Sequence, residues 1–179
     1  MPVLESDIVP KLTTKSGSAG ATLTSTPAAS LGKYVSITNV DLSTILNNII
    51  RDITAAESAA GITIYRAIAI QNNSGTDSWT PTAWLPAGAS SGGVSVAIGV
   101  DPAAASDKDS ASAQGAEIAN ETTAPVGVTF SSPTTSGGAI SLGAIAVDFV
   151  KFLWIRVTVT PGSGPISPYA GTIRLQGNA

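Results

Sequence analysis

Alternation between apolar and polar positions, rather than helical spacing, dominates this chain. In residues 62–71 (ITIYRAIAIQ), Ile62, Ile64, Ile68 and Ile70 fall on one face with Arg66 among them. Thr63, Tyr65, Ala67 and Ala69 fall on the other, the period of a β-strand. Residues 149–160 (FVKFLWIRVTVT) repeat the pattern, with Leu153, Ile155, Val157 and Val159 set against Trp154, Arg156, Thr158 and Thr160. Residues 94–100 (VSVAIGV) and 34–40 (YVSITNV) alternate in the same way. Residues 79–85 form a further strand that Pro81 places at a sheet edge. Shorter strands are expected at 127–130, 139–142 and 172–175. Between them lie turn signals such as Asn72-Asn73-Ser74-Gly75 and the proline-rich stretch 161–168.

Helical spacing occurs once, at Leu42, Ile45, Leu46, Ile49 and Ile50, with Asp41 or Ser43 as a cap, and the type of residues 42–53 stays open. Residues 55–61 read as a loop or short turn ending at Gly61. Residues 101–114 read as a long exposed loop, with a helical turn near 113–119. Seven or eight short strands with turns between them predict an all-β chain, an antiparallel β-sandwich or jelly roll. No repeat of solenoid or propeller period is visible.

The first 33 residues break this rhythm. Val3, Leu4, Ile8, Val9 and Leu12 give some apolar character, and residues 13–30 are then almost entirely Thr, Ser, Gly and Ala. No period there is long enough to pack alone, so residues 1–33 are expected to form an extended arm and residues 34–179 the sandwich body. The five apolar residues are candidate interface positions on that arm.

Composition narrows the chemistry. The 179 residues contain no His and no Cys. This removes the commonest general base and metal ligand, disulfides, zinc–thiolate sites and thiol nucleophiles. A Ser-His-Asp triad is impossible, and the chain is not expected to be an enzyme or to use a cofactor. Nine basic and twelve acidic residues give a net charge of -3, and charged residues make up only 12% of the chain. The basic residues form no cluster, so nucleic acid is not an expected partner. No apolar run approaches the roughly 20 residues of a membrane span. The start, MPVLESDIVP, has none of the apolar core of a secretory leader, so the Asn72 and Asn120 sequons are read as chance matches.

Few residues stand out chemically. Arg66 interrupts an apolar strand face, and a buried guanidinium is costly unless paired. A carboxylate partner is expected, with Asp52 and Asp148 the first candidates. Asp101, Asp107 and Asp109 lack the glycine and the distal acid of a calcium loop, and read as solvated. Trp79 and Trp84, five residues apart on one strand, are candidates for an interface or, less simply, for glycan stacking with Trp154. No spacing among Asp41, Asp52, Glu57, Glu117, Glu121 and Asp148 selects a hydrolytic carboxylate pair.

Several short motifs are shared with a known group. The run Asp52-Ile53-Thr54, Glu57, Ala60-Gly61 and Tyr65-Arg66-Ala67-Ile68-Ala69-Ile70-Gln71-Asn72 resembles a pattern in small virion structural proteins of tailed bacteriophages. Residues 124–131 (APVGVTFS), Leu142-Gly143 and residues 152–162 (FLWIRVTVTPG) are similar to the same group, so the resemblance spans about residues 50–175. It implies a capsid decoration (cement) protein with a β-sandwich or jelly-roll body. Such a protein would sit on the capsid surface, bind the major capsid protein, and self-associate as a homodimer or homotrimer. An alternative within the group is a tail or fibre-associated module that binds glycan through Trp79 or Trp84.

Overall fold

A computed structural model describes residues 3–41, 49–164 and 170–178. The described strands form two antiparallel sheets. The larger contains β1 (Ile8–Thr14), β2 (Tyr34–Asn39), β3 (Ile62–Asn72), β5 (Ser90–Ser91), β6 (Val94–Val100), β7 (Ser106–Asp107) and β9 (Phe149–Val159). Its order is β2-β1-β3-β9-β6-β5, with β7 also paired to β9. The smaller sheet contains β4 (Thr80–Ala87), β8 (Ile140–Ser141) and β10 (Thr172–Asn178), in the order β10-β4-β8. The chain is therefore an all-β antiparallel sandwich. A jelly roll divides eight strands between two sheets, whereas the described strands divide seven and three.

The long alternating strands set the geometry. β3 and β9 pair from Ile62↔Val159 to Gln71↔Val150, so Ile68 lies beside Leu153 and Ile64 beside Val157. β6 joins in phase, with Val96↔Val157 and Ile98↔Ile155. This face packs against Ala83, Leu85, Leu142 and Ile145 to form the main core. The opposite face carries Val35, Ala67, Ala69, Phe152 and Trp154, and two irregular segments cover it with Ala19, Ile118 and Val128. The molecule thus has three layers: small sheet, large sheet, and a coil layer.

The predicted arm is not an arm. Ile8–Thr14 is β1, paired on one side with β3 through Leu12↔Ile68 and on the other with β2 through Lys11↔Asn39. Leu12 is buried in the main core, and Val3 and Ile8 pack against it. Val9 is half-buried, and of the five candidate interface residues only Leu4 is exposed, at 59%. Polar residues fill the buried positions that an apolar pattern would have marked. Thr13 and Ser30 are both buried, and the Ser30 hydroxyl accepts from Thr13 N at 2.8 Å and donates to Ala67 O at 2.6 Å. Gly32 N donates to the Thr13 hydroxyl at 2.9 Å, and the Thr24 hydroxyl to Thr13 O at 2.9 Å. A Ser/Thr-rich stretch can lie inside a fold when every hydroxyl finds a partner.

Four local expectations also change. Residues 55–61 contain a helix, α1 (Ala55–Ala60), opened by Thr54, whose hydroxyl accepts from Glu57 N while Glu57 accepts from Thr54 N. Gly61 ends it at φ 77°. β4 is the central strand of its sheet rather than an edge, and Pro81 contributes only its carbonyl, to Leu142 N at 2.9 Å. Residues 127–130 form no strand, although the neighbouring Ser131 makes a bridge to Ile98. Residues 113–119 contain no helical turn. Of the ambiguous segment 42–53, residues 42–48 lie outside the described residues and 49–53 are not helical. No helix among the described residues is long and apolar enough to cross a membrane.

Candidate functional site

Arg66 is fully buried, as its position on the strand predicts, but its partner is neither Asp52 nor Asp148. Its Nη2 donates to Glu121 Oε2, and its Nη1 donates to Tyr65 O at 3.0 Å. Glu121 arrives from the coil layer, fixed by its own carbonyl, which accepts from Tyr65 N at 2.7 Å. Arg51 approaches the same carboxylate from the other side, with Nε at 2.9 Å and Nη2 at 2.7 Å from Glu121 Oε1. Arg51 also forks onto Glu57, at 2.9 and 2.5 Å. The carboxylate that closes the helix N-terminus therefore also anchors an ionic chain, Glu57–Arg51–Glu121–Arg66.

The electrostatics follow from this geometry. Hydrogen bonds from Arg51, then from Thr54, hold the Glu57 carboxyl down at about 2. Burial pushes the Glu121 carboxyl up, but hydrogen bonds from Arg51 and Arg66 outweigh it and leave it below the usual carboxylate range. The Arg51 guanidinium is held charged by Glu57 first and Glu121 second. Asp52 enters only through its carbonyl, which accepts from Arg51 Nη1 at 2.7 Å. Asp148 sits before β9 in the left-handed region, at φ 62°, and its carbonyl accepts from Lys108 N at 2.9 Å.

A second buried hub is Asp101, which was expected to lie in a solvated loop. It is 1% exposed. Its Oδ2 accepts from Trp154 Nε1 and Ala116 N, both at 2.8 Å, and its Oδ1 accepts from Ala103 N at 2.9 Å. Lys151 Nζ donates to Asp101 O at 2.8 Å and also to Ala103 O. Burial pushes the Lys151 ammonium down, with Asp101 opposing. Asp101 thus ties the coil layer to the ring of a central tryptophan. Asp107 turns instead to its own loop, accepting from Asp109 N at 2.8 Å. Among the described residues no three acidic side chains gather as metal ligands.

The tryptophans are not a stacking platform. Trp79 and Trp84 are 6% and 5% exposed, and Trp154 is fully buried. Trp79 belongs to the main core, and the guanidinium of Arg174 lies 5.9 Å above the ring of Trp84. Arg156 lies 5.0 Å from the Phe130 ring, which also tilts against Tyr65. A shallow groove of about 330 Å³ is lined only by Ser, Gly, Val and Thr of residues 90–95 and 160.

The outer edge of β2 is covered by residues 20–24: Gly20 N donates to Val35 O, Ile37 N to Thr22 O, and Thr24 N to the Thr38 hydroxyl, each at 3.0 Å. The outer edge of β6 is covered by Ala89, β5 and Ser131. The part of β3 beyond β1 is covered by Ser30 and Glu121. β10 is different. β4 is its single partner strand, and among the described residues nothing hydrogen-bonds to its outer edge. Comparison of the chain with family models, curated proteins and solved structures finds no match.

Proposed function

We propose that the protein is a structural subunit of a tailed-bacteriophage virion. It would act as a decoration or cement protein that binds the outer face of the major capsid protein shell and stabilises it. The phage assignment rests on the resemblance of the motifs in residues 50–175. The structural observation that supports it is the internal use of charge. Among the described residues every Lys and Arg except Lys11 has a partner within the chain: ion pairs for Lys15, Lys33, Arg51, Arg66 and Lys108, carbonyls for Lys151, and aromatic rings for Arg156 and Arg174. The remaining surface is rich in small Ser, Thr, Ala and Gly residues, on a body pinned by the hydroxyl network of β1 and the Asp101 hub.

Such a surface repels neighbours weakly and loses little side-chain entropy when covered. Attachment would rest on shape and main-chain contacts, repeated over many copies so that individually weak contacts add up. An arm reaching over the capsid is not part of this mechanism, because within residues 1–33 the segment Ile8–Thr14 is strand β1 and residues 20–30 hydrogen-bond to β2 and β3.

The test is co-sedimentation with expanded shells lacking the protein, counting copies bound per shell at low and high ionic strength. Saturation at a multiple set by the icosahedral axes, little changed by salt, supports the proposal. A folded protein that stays in the supernatant overturns it.

A further inference from the structure

We propose that β10 is a two-fold self-association edge, where a second copy of this chain adds its own β10 antiparallel and joins the two small sheets into one six-stranded sheet. The proposal deepens the assembly reading above and rests on it only in requiring a partner chain.

Ladder direction alternates along a strand. The Pro81 carbonyl accepts from Leu142 N, so odd-numbered residues of β4 face β8 and even-numbered ones face β10. The register Arg174↔Trp84 and Gln176↔Thr82 then turns the backbone of Arg174 and Gln176 inward. The Thr82 hydroxyl donating to Gln176 O at 3.1 Å agrees with that direction. Ile173, Leu175 and Gly177 therefore present their N–H and C=O groups outward. Their side chains do not block approach, since Ile173 and Leu175 lean on the main core and Gly177 has none. No proline lies in β10.

An exposed row of strand amides invites pairing, and folded chains usually cover it, shorten it or charge it. Here the edges of the large sheet are closed by the chain's own coil, and β8 is two residues long. The seven residues of β10 are the long edge left open among the described residues.

A second copy fits because one register satisfies both overlap and charge. With Leu175 opposite its own counterpart, all seven residues pair from Thr172↔Asn178 inward, and each Arg174 faces Gln176. A slip of two residues in one direction sets Arg174 against Arg174, a like-charge pair that destabilises a sheet. A slip in the other direction shortens the overlap. In the favoured register the Leu175 pair and the two Ile173–Gly177 pairs carry the hydrogen bonds, about six in all by the antiparallel pattern.

The chain has no cysteine, so introduced thiols are the only ones present. The variants Arg174→Cys and Gln176→Cys change exposed side chains whose backbone groups already bond to β4. In the favoured register they form a non-hydrogen-bonded pair, with Cα atoms about 4.5 Å apart, within disulfide reach. The two full-length variants, one carrying a mass tag, are oxidised separately and mixed, without shells. A disulfide-linked dimer in the mixture but in neither variant alone is the expected result. Cross-linking of either variant alone to the same extent overturns the register. No cross-link in the mixture, with unmodified protein sedimenting as a monomer at every concentration, overturns the edge proposal. Shell binding is scored in a separate experiment, so either reading can fail without the other. The variant Leu175→Pro, which removes an outward N–H, is expected to move wild-type dimer to monomer in sedimentation velocity.

Discussion

Replacing Glu121 with Ala isolates the Arg66 guanidinium where water barely reaches. Arg66 is fully buried, its Nη2 rests on Glu121 and, among the described residues, its Nε has no partner even in the intact protein. Arg51 is not stranded by the change, because Glu57 still holds two of its nitrogens. The cost therefore falls on Arg66. Removing one partner of a buried pair costs about 3–5 kcal/mol. The Glu121 side chain is 23% exposed, so the vacated space admits some solvent, and the lower end of that range, about 3 kcal/mol, applies. For a chain of this size that corresponds to a fall in Tm of about 6–12 °C. Equilibrium unfolding in guanidinium, followed by fluorescence of the three buried tryptophans, measures it directly. The double variant with Arg66→Met supplies the control. Removing the stranded charge should return roughly 2 kcal/mol of the loss, because an apolar side chain suits that strand face. A loss below about 0.5 kcal/mol for Glu121→Ala, or strict additivity of the two changes, would refute the claim that the pair neutralises a buried charge.

Three further outcomes are expected. Asp101→Ala leaves the Trp154 indole N–H and two amides without their acceptor, and should cost about 3 kcal/mol or more at roughly 1–3 kcal/mol per orphaned group; hydrogen exchange at Ala116 should rise with it. Ser30→Ala removes one hydroxyl that serves both Thr13 N and Ala67 O, and should cost about 1–2 kcal/mol, read as a Tm shift, while the sheet remains folded. The carboxyls of Glu57 and Glu121 are depressed in the fold, so their contribution is complete above the ordinary value of 4.5 and disappears as pH falls through the folded values, to about 2 for Glu57. Thermal melts across that window should show a steeper acid limb for wild type than for Glu57→Gln combined with Glu121→Gln.

Strands were legible wherever one face is apolar. The expected strand at 94–100 is β6, and those at 62–71 and 149–160 differ from β3 and β9 by one residue. β1 was not legible, because its burial depends on Thr13 and Thr14 satisfying their hydroxyls, which leaves no hydrophobic period to read. The short helix was hidden by its alanines, although Thr54 and Glu57 carry a capping box at the correct spacing. Arg66 announced a buried pair through its position on the strand. Its partner lies 55 residues away in irregular chain, and local pattern holds no information about which carboxylate a loop delivers. Asp101 carried no signal at all, since a buried acceptor and a solvated loop acid look alike until the indole of Trp154 is placed beside it.

The position of β9 has a consequence for synthesis. It lies between β3 and β6, pairing with both, yet it begins only at residue 149. Until it leaves the ribosome, two strands rich in Ile and Val have no neighbour on their inner sides. The large sheet cannot close until residues 149–159 have emerged, and from the synthesis of β3 until then the nascent chain carries unpaired, aggregation-prone edges. Slower translation or lower expression temperature should raise the soluble yield of the full chain, whereas a product stopped before β9 should accumulate as insoluble material.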